Sequence, residues 1–128
     1  MSKTKIAIFD LTGCDGCEFS LFSLDELLMD FFQDFEIVNW RLLSEKKRAD
    51  FDVAFIEGAV TTKEQIKLLK QIRQTSKIVI ALGACAVSGN IFAQIPKEKR
   101  KQIAEKIYGK NYKIKAEFLK PVEEFIKV

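Results

Sequence analysis

Three cysteines carry the reactive chemistry open to this chain: Cys14 and Cys17, three residues apart in "LTGCDGCE", and Cys85 in "ALGACAVSGN". A CxxC pair on a strand-to-helix turn suits a redox dithiol, half of a metal site, or two small residues with no chemistry. The dithiol reading leaves Cys85 unused, and neither proline stands where a thioredoxin fold places its cis-proline. A phosphate cradle has no support either, since the stretch has no GxGxxG or Gly-Lys-Ser/Thr pattern and Asp15 and Glu18 would repel an anion. Zinc would need a fourth ligand from a carboxylate or a partner, because the chain has no histidine. Iron–sulfur clusters take mainly thiolates and favour glycine-rich turns that bring N–H groups near sulfur, so CxxC plus a distant GxC supplies three corners of such a site. The plain alternative for Cys85 is a small buried residue after a strand.

The elements that must position these thiols alternate between strand and helix. Ile6–Phe9 is a short apolar run, as a parallel strand buried on both faces requires. Cys17 to Gln33 repeats apolar residues at helical spacing, with Phe19, Phe22, Leu24, Leu27, Leu28, Phe31 and Phe32 covering more of the circumference than one interface needs. That width fits either a deeply buried helix or one packed on its own sheet and on a partner. A strand is centred on Glu36–Trp40, Ser44–Asp50 reads as a loop or short turn, and the next strand spans Phe51–Ile56 and ends at Glu57-Gly58. Thr61 with Glu64 predicts a capping box for a helix over Thr62–Thr75. Lys77–Leu82 is a fourth strand running into Gly83-Ala84-Cys85, a weakly organised stretch covers Gly89–Pro96, and Pro96–Ile107 reads as a helix. This alternation predicts a doubly wound α/β sheet of four or more parallel strands, in which both cysteine segments emerge at the carboxyl edge.

Length bounds the rest. At 128 residues without repeats or low-complexity stretches, residues 1–128 read as a single domain. No apolar run nears the roughly 18 residues of a membrane span, and no signal or transit pattern precedes the first strand, so the expectation is a cytoplasmic chain not inserted in a membrane. Reduced thiols in that compartment favour metal ligands, catalytic thiols or core residues over a disulfide framework. Residues 1–60 carry 6 Lys and Arg against 12 Asp and Glu, and residues 61–128 carry 15 against 6. Lys63, Lys67, Lys70, Lys97, Lys99 and Lys101 fall at helical spacing without interleaved aromatics. This predicts solvated helix faces or a charged surface for a protein partner, not a nucleic-acid interface.

Beyond CxxC, the segments "LTGCDGCEFSLFSL" (11–24), "DVAFIEGAV" (52–60), "IVIALGACAVSGNIFA" (78–93) and "KPVEEFIKV" (120–128) fall in an order and spacing that extends over almost the whole chain. In these the sequence resembles the small, electron-transfer subunit of [NiFe]-hydrogenases and the related 20 kDa cluster subunit of respiratory NADH:quinone oxidoreductase. The nearest flavour is that of the cytoplasmic methanogen-type and sulfhydrogenase-type enzymes. The resemblance implies a flavodoxin-like, three-layer domain binding a [4Fe-4S] cluster through Cys14, Cys17 and Cys85. By the same resemblance Glu57 and Gly58 match an acidic–glycine turn beside the cluster, and Gly83 and Gly89 match glycines of the third-cysteine loop; Gly13 and Gly16 free the backbone around the first two cysteines.

The implied function is a redox subunit with no bond chemistry of its own, partnered by a [NiFe]-hydrogenase-like large subunit and by further iron–sulfur or flavin carriers. Family members carry a fourth cysteine in a Gly-Cys-Pro motif shortly after the segment resembling "PVEEFIKV", and Val128 is reached without it. The expectations that follow are a shortened or split member, or a divergent one whose cluster is incomplete, completed from outside, or absent. The rival classes are a cluster-free α/β interaction module and a thioredoxin-like dithiol protein.

Overall fold

The structure, a computed structural model, describes residues 2–45 and 47–128. Four strands form one sheet: β1 (Thr4–Asp10), β2 (Phe35–Trp40), β3 (Val53–Glu57) and β4 (Ile78–Leu82), in the order β2-β1-β3-β4. Every pairing is parallel, with Ile6 opposite both Ile37 and Val53, and Val53 opposite Ile78. This is the order of the first four strands of a flavodoxin-like sheet. Its switch point falls between β1 and β3, where a doubly wound fold opens its crevice.

Alternation along the strands sorts the side chains onto two faces. Ala54, Ile56 and Val79 meet Leu69 and Ile72 of α3 (Lys63–Thr75), together with Val122 and Ile126 from the C-terminal segment. Ile6, Ile8 and Trp40 form the other core under Phe22, Phe31 and Phe32. Each fully buried large apolar side chain in these clusters contributes roughly 1.5–3 kcal/mol. The cover on this second face stops short of β4, where Ile78 and Ile80 remain 54% and 37% exposed.

The helix expected over Cys17–Gln33 is two helices, α1 (Gly16–Phe22) and α2 (Glu26–Asp34). Asp25, at φ 48° and ψ −116°, turns the chain between them in a conformation that glycine more often adopts. The break lets Phe22 stack on Trp40, with ring centroids 5.0 Å apart, while Phe31 packs on Phe35 at 4.8 Å. One straight helix could not deliver both contacts.

The capping box at the start of α3 also differs from the expectation. Thr62 is the cap: its hydroxyl accepts from the Gln65 N–H at 3.2 Å, and the Gln65 side chain accepts from the Thr62 N–H at 3.3 Å. Thr61 is buried one residue earlier and donates its own N–H to the same Gln65 oxygen.

Beyond β4 the chain is more helical than expected, with short helices α4 (Gly83–Ser88) and α5 (Asn90–Ala93) before α6 (Lys97–Tyr108). Residues 110–119 run back without regular structure, and a single 3-10 turn follows at Val122–Glu124.

Candidate functional site

The loop after β1 carries Cys14 and Cys17 and is clamped to the loop after β3. Leu11 N–H donates to the Glu57 carbonyl at 2.7 Å, and Thr12 and Ala59 exchange two backbone bonds at 3.2 and 2.8 Å. Gly58 makes this approach feasible. Its φ is 94°, and a Cβ there would lie 2.7 Å from the Thr12 nitrogen, closer than a side chain tolerates beside a left-handed backbone. Gln65 ties the same loop to α3, donating to the Thr12 hydroxyl at 3.1 Å.

Cys85 reaches the site from the other direction, in the first turn of α4. Gly83, at φ 84°, lies directly against Cys17: a Cβ at Gly83 would collide with the Cys17 sulfur. The next residue, Ala84, donates its backbone N–H to the Cys17 sulfur. Asn90 Nδ2 donates to Cys85 Sγ at 3.7 Å, and a Cβ on Gly16 would sit 3.3 Å from Cys14 Sγ. All three thiols are free, with Cys14 exposed and the other two half-buried.

The electrostatics show that the thiols share one environment. Burial pushes the Cys17 thiol above its ordinary value, and negative charge at Glu57, Cys14 and Cys85 adds to the rise, while the Ala84 N–H works against it. Cys14, Cys17, Cys85, Glu57, Gly16 and Gly83 are therefore brought together. Gly13 packs beside Gly58 and the Glu57 carboxylate, whereas Gly89 turns the chain between α4 and α5 against Ala93. Among the described residues no three Cys, Asp or Glu side chains meet closely enough to chelate one metal ion. The thiols influence one another electrostatically without converging on a single point.

Next to Cys17 lies a carboxyl pair, of which the sequence singled out Glu57 as a site residue but not Glu18. Glu57 is 3% exposed and accepts the Glu18 N–H at 3.2 Å; burial raises its carboxyl above the ordinary range. Glu18 is fully buried at the base of α1, where burial pushes it up to about 7, with the charges of Asp10, Glu57 and Asp15 adding to the effect. Its Oε2 accepts from Trp40 Nε1 at 2.8 Å, and its Oε1 has no partner.

In sequence, Glu18 reads as a first-turn acid favoured by the helix dipole. Its N–H bond to Glu57 and its side-chain contact with Trp40, on a strand 22 residues away, mark it as part of the site. Outside this pair, Arg41 binds Asp10 and Asp15 at 2.7 and 3.0 Å, which pins the CxxC turn to the end of β2.

An all-parallel α/β sheet in the order β2-β1-β3-β4, with free cysteines at the carboxyl ends of β1 and β4, defines a flavodoxin-like domain with thiols along its carboxyl edge. Residues 14–128 match the family described as NADH ubiquinone oxidoreductase, 20 Kd subunit, and the chain belongs to that family.

Relatives sharpen the comparison. The sulfhydrogenase 2 subunit delta of Pyrococcus furiosus is 35% identical over 127 residues, 97% of this chain and 52% of that protein. The delta subunit of the NAD-reducing hydrogenase HoxS of Cupriavidus necator is 33% identical over 90 residues, 70% of this chain and 43% of that protein. The chain thus spans about half the length of the curated relatives it matches. A chain in the crystal structure of an NAD+-reducing [NiFe]-hydrogenase in the H2-reduced state superposes with a TM-score of 0.78 at 25% identity, over 99% of this chain and 79% of that one. Among the described residues no helix is long and apolar enough to cross a membrane.

Proposed function

We propose that this chain is the electron-transfer subunit of a [NiFe]-hydrogenase-like complex in a reducing, cytoplasmic setting, and that Cys14, Cys17 and Cys85 hold an iron–sulfur cluster of the [4Fe-4S] type. The carrying observation is the packing around Cys17: its sulfur faces Gly83, accepts an N–H from Ala84 and lies in the field of Cys14 and Cys85. Thiolates close together, a glycine whose missing Cβ leaves room, and N–H groups aimed at sulfur are what such a cluster requires of a protein. When bound, the cluster would supply one-electron redox chemistry, passing electrons between a large catalytic subunit and further iron–sulfur or flavin carriers.

This chain's own residues set the conditions. The Ala84 N–H and the Asn90 amide donate to thiol sulfurs and favour added negative charge, which raises a redox potential. Glu57, whose charge adds to the rise at Cys17, is an acidic neighbour that acts in the opposite sense. Gly16 and Gly83 keep the backbone close to the thiols, and Gly13 lets the CxxC loop pack against Gly58 and Glu57.

The test is anaerobic reconstitution of the 128-residue chain with ferrous iron and sulfide. The expected product is a brown protein with a reducible paramagnetic signal, abolished by Cys17→Ser and weakened by Cys14→Ser or Cys85→Ser. A colourless product, or a signal indifferent to all three substitutions, rejects the cluster reading. A second reading, a cluster-free interaction module, is favoured by the exposed Phe19, Leu27 and Met29 on α1 and α2 and would be supported by that colourless outcome.

A further inference from the structure

Residues 97–115 contain eight Lys and Arg but only two carboxylates, Glu98 and Glu105. Among the described residues, Lys101 alone of these cations pairs with a carboxylate, reaching Glu105 at 3.9 Å. So much unneutralised charge on one helix and its return segment is self-repelling unless something opposite covers it. Beside it lies an apolar groove. Ile103, Ile107 and Tyr108 of α6 face Tyr112 and Ile114 across a cavity of about 280 Å³. Ile107 and Tyr108 are 64% and 65% exposed, and the two tyrosine rings stack on each other at 4.5 Å. Arg100 stands between this cavity and a second one of about 400 Å³ lined also by Lys97, Lys101 and Glu117, the last of these paired with Lys63 at 3.3 Å.

We propose that α6 and residues 109–119 form a docking groove for an acidic, amphipathic segment of a partner protein. Charge complementarity names the occupant's rim: carboxylates facing Lys97, Arg100 and Lys101 would steer the encounter and fix the register. The groove names its centre, because aliphatic and tyrosine side chains bordered on one side by Arg100 and its lysine neighbours have the apolar core and charged rim of a protein interface, and a helix laid in a groove inserts apolar anchors at helical spacing. A nucleic acid is the poorer fit. It needs aromatic faces free to stack on bases, whereas Tyr108 and Tyr112 cover each other. The site lies outside the cysteine cluster and does not depend on its loading.

Binding of the full chain to a fluorescent peptide of Glu and Leu at helical spacing tests the groove. Three comparison probes accompany it: the same peptide with Lys for Glu, poly-glutamate, and a single-stranded DNA oligonucleotide. The Glu–Leu peptide should bind at least ~10-fold more tightly than poly-glutamate or the Lys version. The double variant Lys97→Glu/Lys101→Glu and, separately, Ile107→Asp should each weaken it by ~10-fold or more with an unchanged circular dichroism spectrum. Cys14→Ser should leave binding intact, which separates this site from the cluster, and Leu27→Lys should leave it intact, which separates the groove from the apolar face of α2. Tighter binding of DNA, equal binding of poly-glutamate, or loss with Leu27→Lys and not with Ile107→Asp would each overturn the proposal.

Discussion

Gly83 and Cys17 are in contact across the site: the space a Gly83 side chain would fill is occupied by the Cys17 sulfur. Two segments 66 residues apart in sequence thereby share one surface, and the absence of a single methyl group lets them meet.

Gly83→Ala should therefore damage the site twice. The alanine must adopt φ near 84°, which costs roughly 1–2 kcal/mol, and its methyl group must displace Cys17 or move α4 away. The expected result is a midpoint shift in urea denaturation equivalent to ~1–3 kcal/mol and a large loss of cluster on reconstitution. Ala84→Gly, which keeps the N–H donor and adds no atom, should retain most of the cluster. Equal loss in both variants would mean that α4 is merely fragile and that Gly83 has no special place.

Glu18 should make the stability of the cluster-free chain depend on pH. Its carboxyl titrates near 7 when folded, against an ordinary value of 4.5, so the folded state prefers it protonated. The stabilisation from that preference is complete below the unfolded value, declines as pH rises through the folded value, and is gone above it. Glu18→Gln keeps an oxygen for the Trp40 N–H and cannot ionise. It should be more stable than the parent at pH 8, by roughly 2–3 kcal/mol, and about equal at pH 4. Denaturant titrations at the two pH values decide this. A residual slope from Glu57, also raised by burial, should remain in the variant.

The parallel strands and the emergence of both cysteine segments at one edge of the sheet were legible because both rest on signals local to each element; the order β2-β1-β3-β4 came only with the structure. Apolar runs mark Ile6–Phe9 and Ile78–Leu82, and a parallel sheet has only one edge at which strand ends followed by CxxC and GAC can emerge. What the sequence concealed depends on partners distant in the chain. The apolar period runs unbroken through Ser23–Asp25, so the turn between α1 and α2 is set by where Trp40 and Phe35 wait for Phe22 and Phe31. Glu64 stands three positions after Thr61 and fits the capping pattern, yet the box closes one residue later on Gln65, which also reaches Thr12. Gly83–Ser88 is too short and too small-sided to show a helical period; its form shows only in the structure, where Ala86 is buried beside Val122.

The apolar face of α1 and α2 should make the isolated chain self-associate. Phe19, Leu24, Leu27 and Met29 are 58%, 41%, 64% and 61% exposed, leaving four large apolar side chains to solvent on α1, α2 and the turn between them. Leu27→Lys combined with Met29→Glu touches no buried position. It should lower the sedimentation-average mass toward that of a monomer and leave the unfolding midpoint within about 0.5 kcal/mol of the parent. A parent chain that is monomeric at high concentration would show instead that this face does not drive association.

Cluster loading should be limited both by protons and by a missing fourth thiolate. Ligation requires each thiol to give up a proton, and Cys17 holds its proton more tightly than a free cysteine because it is buried among negative groups. Reconstitution yield should therefore rise between pH 6.5 and 8.5. The 128 residues contain three cysteines, while a [4Fe-4S] cluster held by cysteine alone takes four. The carboxylates nearest the thiols are already engaged: Asp15 pairs with Arg41 at 3.0 Å, and Glu57 accepts the Glu18 N–H. A small external thiol such as 2-mercaptoethanol should then lengthen the lifetime of the reconstituted cluster in air and shift its paramagnetic spectrum, as should a Gly-Cys-Pro extension after Val128. Identical spectra and lifetimes with and without added thiol would mean that the fourth corner is filled from within the chain. Glu57→Gln would then be the variant to lose the cluster, with its backbone partner at Glu18 retained.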